Sequence, residues 1–187
     1  GLRGLNSFGA LTNFTFDISI IELLGTLVSG VAVQLFAGPE ALTVLDFVED
    51  GRIDGLQLTP SRLDQLKELD EQAFQKQSNL KTLIVGGEAM TEQQFTALKE
   101  LNNTKVINAY GPTETVIWSS SLELHNAEKL SVGKALPGES LLILSEDHQL
   151  LPAGVVGEIC IGGRSLARGY INRPDLTAVY FIRLPFI

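Results

Sequence analysis

Four short apolar runs punctuated by helical stretches constrain this chain more than any other feature. The runs are Val31-Ala32-Val33-Gln34-Leu35-Phe36, Gly55-Leu56-Gln57-Leu58, Leu80-Lys81-Thr82-Leu83-Ile84-Val85 and Lys105-Val106-Ile107-Asn108-Ala109. Each is too short for a core helix and reads as a strand, the first of them as a buried one. Between them, residues 39–50 read as a helix stopped by Gly51. Residues 60–69 read as an amphipathic helix with Leu63, Leu66 and Leu69 on one face. Thr91-x-x-Gln94 opens a helix to about residue 101, and Ser19-x-x-Glu22 has the same capping-box spacing ahead of an apolar stretch ending near Gly30. Strands alternating with helices of this length predict βαβ units and a parallel sheet with flanking helices.

After Thr115 the helical period disappears. Leu141-Leu142-Ile143-Leu144 and Gly157-Glu158-Ile159-Cys160-Ile161-Gly162-Gly163 are short apolar or glycine-edged runs, with turns at Asp147-His148 and Pro152-Ala153-Gly154. This half reads as a smaller antiparallel, barrel-like β region. The change falls near residues 122–130, which divides the chain into an α/β part, residues 1–125, and a β-rich part, residues 126–187. There is no internal repeat and no low-complexity segment.

A chain of 187 residues, 44% of them hydrophobic, can bury one sizeable core. Its formal net charge of -8 argues against a nucleic-acid partner, and no basic stripe is visible. The single cysteine, Cys160, lies in an apolar run and reads as a strand residue, so a disulfide framework is excluded and a reducing, cytoplasmic setting is expected. His125 and His148 have no ligand at metal spacing. No apolar run approaches the roughly 20 residues that cross a bilayer.

Right-handed crossovers bring the ends of parallel strands to one edge. Gln57-Leu58-Thr59, Gly86-Gly87-Glu88 and Tyr110-Gly111-Pro112-Thr113-Glu114 then converge, and that edge is where open α/β sheets carry ligands. Gly86-Gly87 either ends a strand or lets a flat ligand lie against bare backbone. Tyr110 is either a core aromatic or a stacking platform. Thr113 and Glu114 are either ordinary turn residues or a phosphate donor and a Mg²⁺ ligand. Asp17, between Phe16 and Ile18, is either a helix cap or a carboxylate awaiting a cation. Arg168 is a surface arginine or a phosphate contact. No Gly-x-Gly-x-x-Gly follows a strand, which excludes a dinucleotide fingerprint.

In order along the chain stand Phe16-Asp17-Ile18-Ser19, Gly86-Gly87-Glu88-Ala89, Asn108-Ala109-Tyr110-Gly111-Pro112-Thr113-Glu114, the 157–163 run, Ala167-Arg168-Gly169-Tyr170 and Arg173-Pro174-Asp175-Leu176-Thr177. Together they resemble the amino-acid adenylation domain of a nonribosomal peptide synthetase, one of the adenylate-forming enzymes that include acyl-CoA synthetases and luciferases. The resemblance covers about residues 12–187. It implies activation of an amino acid with ATP and Mg²⁺ to aminoacyl-AMP, then transfer to the phosphopantetheine thiol of a carrier protein beside condensation domains. It assigns Gly87, Glu88, Ala89, Asn108, Tyr110 and Gly111 to the nucleotide, Thr113 to the α-phosphate and Glu114 to Mg²⁺. It assigns Asp17 to the substrate ammonium, and Asp17, Ile18, Ile21, Gln57, Ile84, Gly86, Ala109, Ile117 and Trp118 to the side-chain pocket. That set is filled by isoleucines and a tryptophan, and it implies glycine as substrate, with alanine the runner-up. An acyl-CoA synthetase-like ligase and a non-catalytic adenylate-binding domain are the alternatives. The family's phosphate loop is expected before residue 1, its ribose aspartate soon after Phe186, and its catalytic lysine in a further subdomain. An internal fragment with negligible turnover on its own is the expectation.

Overall fold

A computed structural model describes residues 2–36, 41–71, 74 and 79–184. The chain opens with β1 (Ser7–Ala10), then a π-helical turn, Ile21–Gly25, that runs into α1 (Thr26–Val28). There follow β2 (Ala32–Leu35), α2 (Ala41–Glu49), β3 (Gly55–Leu58), α3 (Pro60–Leu69), β4 (Thr82–Gly86), α4 (Glu92–Lys99) and β5 (Lys105–Tyr110). The second half contributes β6 (Ser120–Glu123), β7 (Lys134–Ala135), β8 (Glu139–Leu144), β9 (Glu158–Gly163) and α5 (Pro174–Tyr180).

Seven strands form one sheet in the order β2-β1-β3-β4-β5-β6-β7. The five from β2 to β5 are parallel, and β6 and β7 continue the edge antiparallel. β8 and β9 pair antiparallel in a separate two-stranded sheet. The fold is thus mixed α/β, with a mostly parallel sheet and a small antiparallel one. Strand order reverses at β1, which has β2 on one side and β3 on the other. That reversal opens a crevice at the carboxyl ends of β1 and β3, where this kind of sheet binds ligands.

The two faces of the sheet are sorted by alternation. Leu56, Leu58, Leu83, Val85 and Val106 turn to one side and meet Val44, Leu45, Val48, Leu63, Leu66, Phe95 and Leu98 of the helices. Ile84 and Ala109 turn to the other and join Phe8, Val31, Ile117 and Trp118. Fully burying one such aliphatic side chain stabilises the fold by about 1.5–3 kcal/mol. Helix starts follow local chemistry. Thr59 accepts from Arg62 N–H ahead of Pro60, and Thr91 and Gln94 form a reciprocal capping box.

Two expectations are corrected, and one strand had no sequence signal. The Ser19–Glu22 spacing does not cap a helix: Ser19 Oγ donates to Phe16 O, while Glu22 turns inward to accept N–H groups of Leu11 and Thr12. β2 is not buried but an edge strand, paired on one side only, with Leu35 67% exposed. β1 escaped the pattern because Ser-Phe-Gly-Ala is too short to display a period, yet it holds the centre between β2 and β3. The start of the 39–50 helix, residues 39 and 40, lies outside the described residues.

Asp54 anchors the start of β1 to β3. Its carboxylate accepts the N–H groups of Asn6 and Ser7 and pairs with Lys81 Nζ at 2.8 Å. Burial pushes its pKa up, but the lysine and the two N–H groups outweigh that and hold it below the ordinary value.

Candidate functional site

The register of the parallel strands builds one wall. Gln57 of β3 pairs with Ile84 of β4, and Ile84 with Ile107 of β5; two residues on, Gly86 pairs with Ala109. A period of two places Gln57, Ile84, Gly86 and Ala109 on one face at the carboxyl edge. Ile18 and Ile21, from the segment that leaves β1, pack against the same cluster as Ile84, Ala109, Ile117 and Trp118. Eight of the nine pocket positions expected from the sequence are thus in contact or in register, and the ninth, Asp17, adjoins Ile18.

Gly86 is where this wall is most confined. A Cβ there would lie 2.4 Å from Ala109 O and 2.6 Å from Trp118 Cη2, so the indole lies directly over bare backbone. At Gly87 φ is +85°, and a Cβ would meet Ile18 Cδ1 at 2.8 Å. Both observations favour glycine on steric grounds.

Asp17 sits half-buried in the turn before the π-helical segment, and its carboxylate has no hydrogen bond or ion pair among the described residues. Its expected apolar company is largely solvent-facing: Phe14 is 82% exposed and Phe16 64%. Only Ile18 on one side packs into the cluster.

Gln57 is already engaged. Its Nε2 donates to Glu22 Oε1 at 3.2 Å and to Ile18 O at 3.3 Å, and its Oε1 accepts the Trp118 indole N–H at 3.3 Å. Glu22, expected in a capping box, is fully buried instead. Burial pushes its carboxyl above the usual range, and hydrogen bonds from Thr12, Gln57 and Leu11 offset that only in part.

The second wall is the turn after β5. Ser119 N–H donates to Tyr110 O at 2.8 Å and closes it, and Thr113–Thr115 forms a single 3₁₀ turn behind Pro112. Val116 and Ile117 both have positive φ, 47° and 83°. Two β-branched residues in that region store strain that surrounding packing must hold, a pattern concentrated at functional sites. Thr113 is exposed and Tyr110 half-buried. Asn108 is buried, and its amide donates to Ser131 O. Glu88 accepts the N–H and hydroxyl of Ser61 at the start of α3; the Ser61 hydroxyl is the chief cause of its lowered pKa. The side chains of Glu88 and Asn108 are therefore taken up by bonds within the protein, while the neighbouring Gly87, Ala89 and Tyr110 stand at the carboxyl ends of β4 and β5.

Glu114 receives two contacts from far along the chain. Its carbonyl accepts Ala167 N–H at 2.7 Å, and its Oε1 accepts the Tyr170 hydroxyl. Ala167-Arg168-Gly169-Tyr170 stands out as a motif, but nothing local marks Tyr170 as part of the site. The Tyr170 hydroxyl is pushed up to about 12, first by the hydrogen bond to Glu114 and then by burial. Because the folded value is the higher one, this contact stabilises the fold fully below the unfolded value of about 10 and is lost as pH rises through about 12. The Tyr170 ring resonance of the intact parent protein, identified by its loss in Tyr170→Phe, is expected to titrate only as pH approaches about 12, and Glu114→Gln to bring that transition down. A Tyr170 transition near the ordinary value of about 10 would count against the contact.

Among the described residues no group of three or more His, Cys, Asp or Glu could hold a metal ion. A lone carboxylate such as Glu114 still fits Mg²⁺ brought in by a nucleotide, since that ion is bound by one or two carboxylates plus substrate phosphates. Cys160 is a half-buried β9 residue with its thiol pushed up by burial and by Glu158, unsuited to nucleophilic work. Among the described residues no helix is long and apolar enough to cross a membrane.

Comparison with known proteins adds three findings. The profile of the family described as "AMP-binding enzyme" matches residues 6–171. A plipastatin synthase polypeptide of Bacillus subtilis is 36% identical over 91% of this chain, and tyrocidine synthase 3 of Brevibacillus parabrevis 34% identical over 91%. The chain spans only 7% and 3% of those two proteins. Among solved structures, holo-AB3403, a four-domain nonribosomal peptide synthetase bound to AMP and glycine, superposes with a TM-score of 0.84 at 34% identity, covering 98% of this chain and 14% of that one.

Proposed function

From the premise that this chain belongs to the AMP-binding enzyme family, we propose that it forms part of a peptide-synthetase adenylation domain that activates glycine. In this reading residues 1–125 supply the amino-acid pocket and part of the AMP site, and residues 126–187 complete the same core. The carboxylate oxygen of the amino acid attacks the α-phosphorus of ATP, the bond to the β-phosphate oxygen breaks, and pyrophosphate leaves. A carrier-protein phosphopantetheine thiol then displaces AMP from the acyl carbon. The protein need supply no covalent nucleophile, so its work is positioning and charge stabilisation.

Asp17 pairs with the substrate ammonium, a task that a fatty-acid or aryl-acid activator would not need. Gly87, Ala89, Asn108, Tyr110 and Gly111 border the nucleotide, with Glu88 holding the segment in place. Thr113 donates to the α-phosphate. Glu114 is the residue that would hold Mg²⁺, with Tyr170 steadying one of its carboxylate oxygens. Mg²⁺ held there would supply positive charge to offset that of the phosphates.

The observation that carries the choice of substrate is the Trp118 ring above Gly86, flanked by Ile18, Ile21, Ile84, Ala109 and Ile117. A larger side chain would meet packed atoms, at a cost of about 1–3 kcal/mol or more. The likeness to a synthetase bound to AMP and glycine supports the same choice. The test is amino-acid-dependent pyrophosphate exchange by the intact parent enzyme across an amino-acid panel. Glycine is expected first, with alanine slower by roughly 10- to 200-fold, the discrimination one methyl group allows. Preference for phenylalanine or lysine would overturn the assignment.

A further inference from the structure

Behind Gln57 and Trp118 runs a buried relay that begins at Glu22, a residue with no expected role in the site. Glu22 Oε2 accepts the N–H groups of Leu11 and Thr12 at 3.0 and 2.9 Å; Oε1 accepts the Thr12 hydroxyl at 2.7 Å and the Gln57 amide at 3.2 Å. Gln57, 3% exposed, passes the connection on, since its Oε1 accepts the Trp118 indole N–H. The far edge of that indole lies against Gly86.

The donor and acceptor order allows only one arrangement. An indole N–H can only donate, so it needs the amide oxygen of Gln57. A carboxylate and the Ile18 carbonyl can only accept, so they need the amide nitrogen. A flipped Gln57 would set oxygen against oxygen at one end and N–H against NH₂ at the other. Leaving such groups buried and unsatisfied is costly, so the chain of bonds fixes the side chain.

We propose that Glu22 is a positioning residue: through Gln57 it sets the attitude of Trp118, and the attitude of Trp118 sets the largest substrate side chain the pocket admits. Glu22 itself touches no substrate. The size-gating half rests on the proposed reading of the site as an amino-acid pocket; the coupling of Glu22 to Trp118 does not.

Glu22→Gln tests the relay because it keeps shape and reverses one polarity. The new amide's oxygen is drawn to the two backbone N–H groups, which turns its NH₂ toward Gln57 and forces that amide to flip away from the indole. Q57E in the same protein restores the order: the amide now at position 22 donates to one oxygen of the carboxylate now at position 57, whose other oxygen accepts the indole N–H. The readout is intact parent protein labelled with fluorotryptophan, the Trp118 fluorine resonance being identified by its loss in W118F. E22Q is expected to shift that resonance and to raise the alanine-to-glycine ratio of kcat/KM about tenfold. The double variant is expected to return both toward wild type, incompletely because Ile18 O loses its donor. Should E22Q fail to fold, Q57M, which releases the indole but leaves Glu22 its backbone bonds, is expected to give the same shift and ratio change. An unmoved resonance in the folded E22Q or Q57M protein overturns the relay. A shifted resonance with an unchanged ratio overturns the size gate. Wild-type protein that prefers a large amino acid, with the resonance still responding to E22Q, overturns the reading of the pocket and leaves the relay standing.

Discussion

Asp17→Ala in the intact parent enzyme is expected to lower amino-acid-dependent pyrophosphate exchange on the order of 100-fold, because on the proposed reading the substrate ammonium loses its charged partner. Asp17 is half-buried, and its carboxylate has no other bond among the described residues. Removing it therefore disrupts little of the protein itself. ATP affinity, read by equilibrium binding, is expected to stay within about twofold, a few tenths of a kcal/mol. Stability is expected to change by no more than about 0.5 kcal/mol, as for surface positions without buried partners. The two readouts separate a binding role from a structural one. If exchange, ATP binding and stability fell together, Asp17 would be holding the fold and the ammonium would need another partner. Asp17→Asn sharpens the comparison, since it keeps the volume and removes only the charge.

The second large effect is expected at Gly111. A Cβ there would lie 2.2 Å from Ile117 O, 2.8 Å from Ser119 N and 2.9 Å from Trp118 Cα. All three obstacles are backbone or Cα atoms of a segment already held by the Ser119-to-Tyr110 bond and by positive φ at Val116 and Ile117. No flexible side chain can yield. Gly111→Ala is expected to destabilise the protein by about 2–4 kcal/mol in denaturant unfolding and to disable nucleotide binding in what remains folded. Gly162→Ala serves as the control: its Cβ would find only Ser140 Cβ, at 4.0 Å, and the change is expected to stay within about 0.5 kcal/mol. Equal stabilities for the two variants would mean that the turn relaxes freely and is no rigid wall.

Much of the parallel half was legible because its information is local. Apolar runs bounded by glycine, proline and capping residues mark β3, α3, β4, α4 and β5, and the Thr91–Gln94 box forms as its spacing predicts. The Ser19–Glu22 string has the same spacing and a different fate. Glu22 finds the unpaired N–H groups of Leu11 and Thr12 at the exit of β1, a demand set by a loop eleven and ten residues away. Edge or centre is likewise a property of the assembled sheet, so the apolar run 31–36 could not announce that β2 is paired on one side alone. Candidate site residues could be named from sequence where they share a short motif. Tyr170 could not, because its partner Glu114 lies 56 residues earlier and only the folded chain brings the two together.

The register of β3, β4 and β5 lays out a grid at the carboxyl edge of the sheet. Gln57, Ile84, Gly86 and Ala109 occupy its tiles, and main-chain hydrogen bonds alone fix the spacing between them. Those bonds are indifferent to what each tile carries. If this edge is the amino-acid pocket proposed above, lineages sharing the sheet can exchange one substrate for another by changing tile sizes, with the strand pairing left as it is.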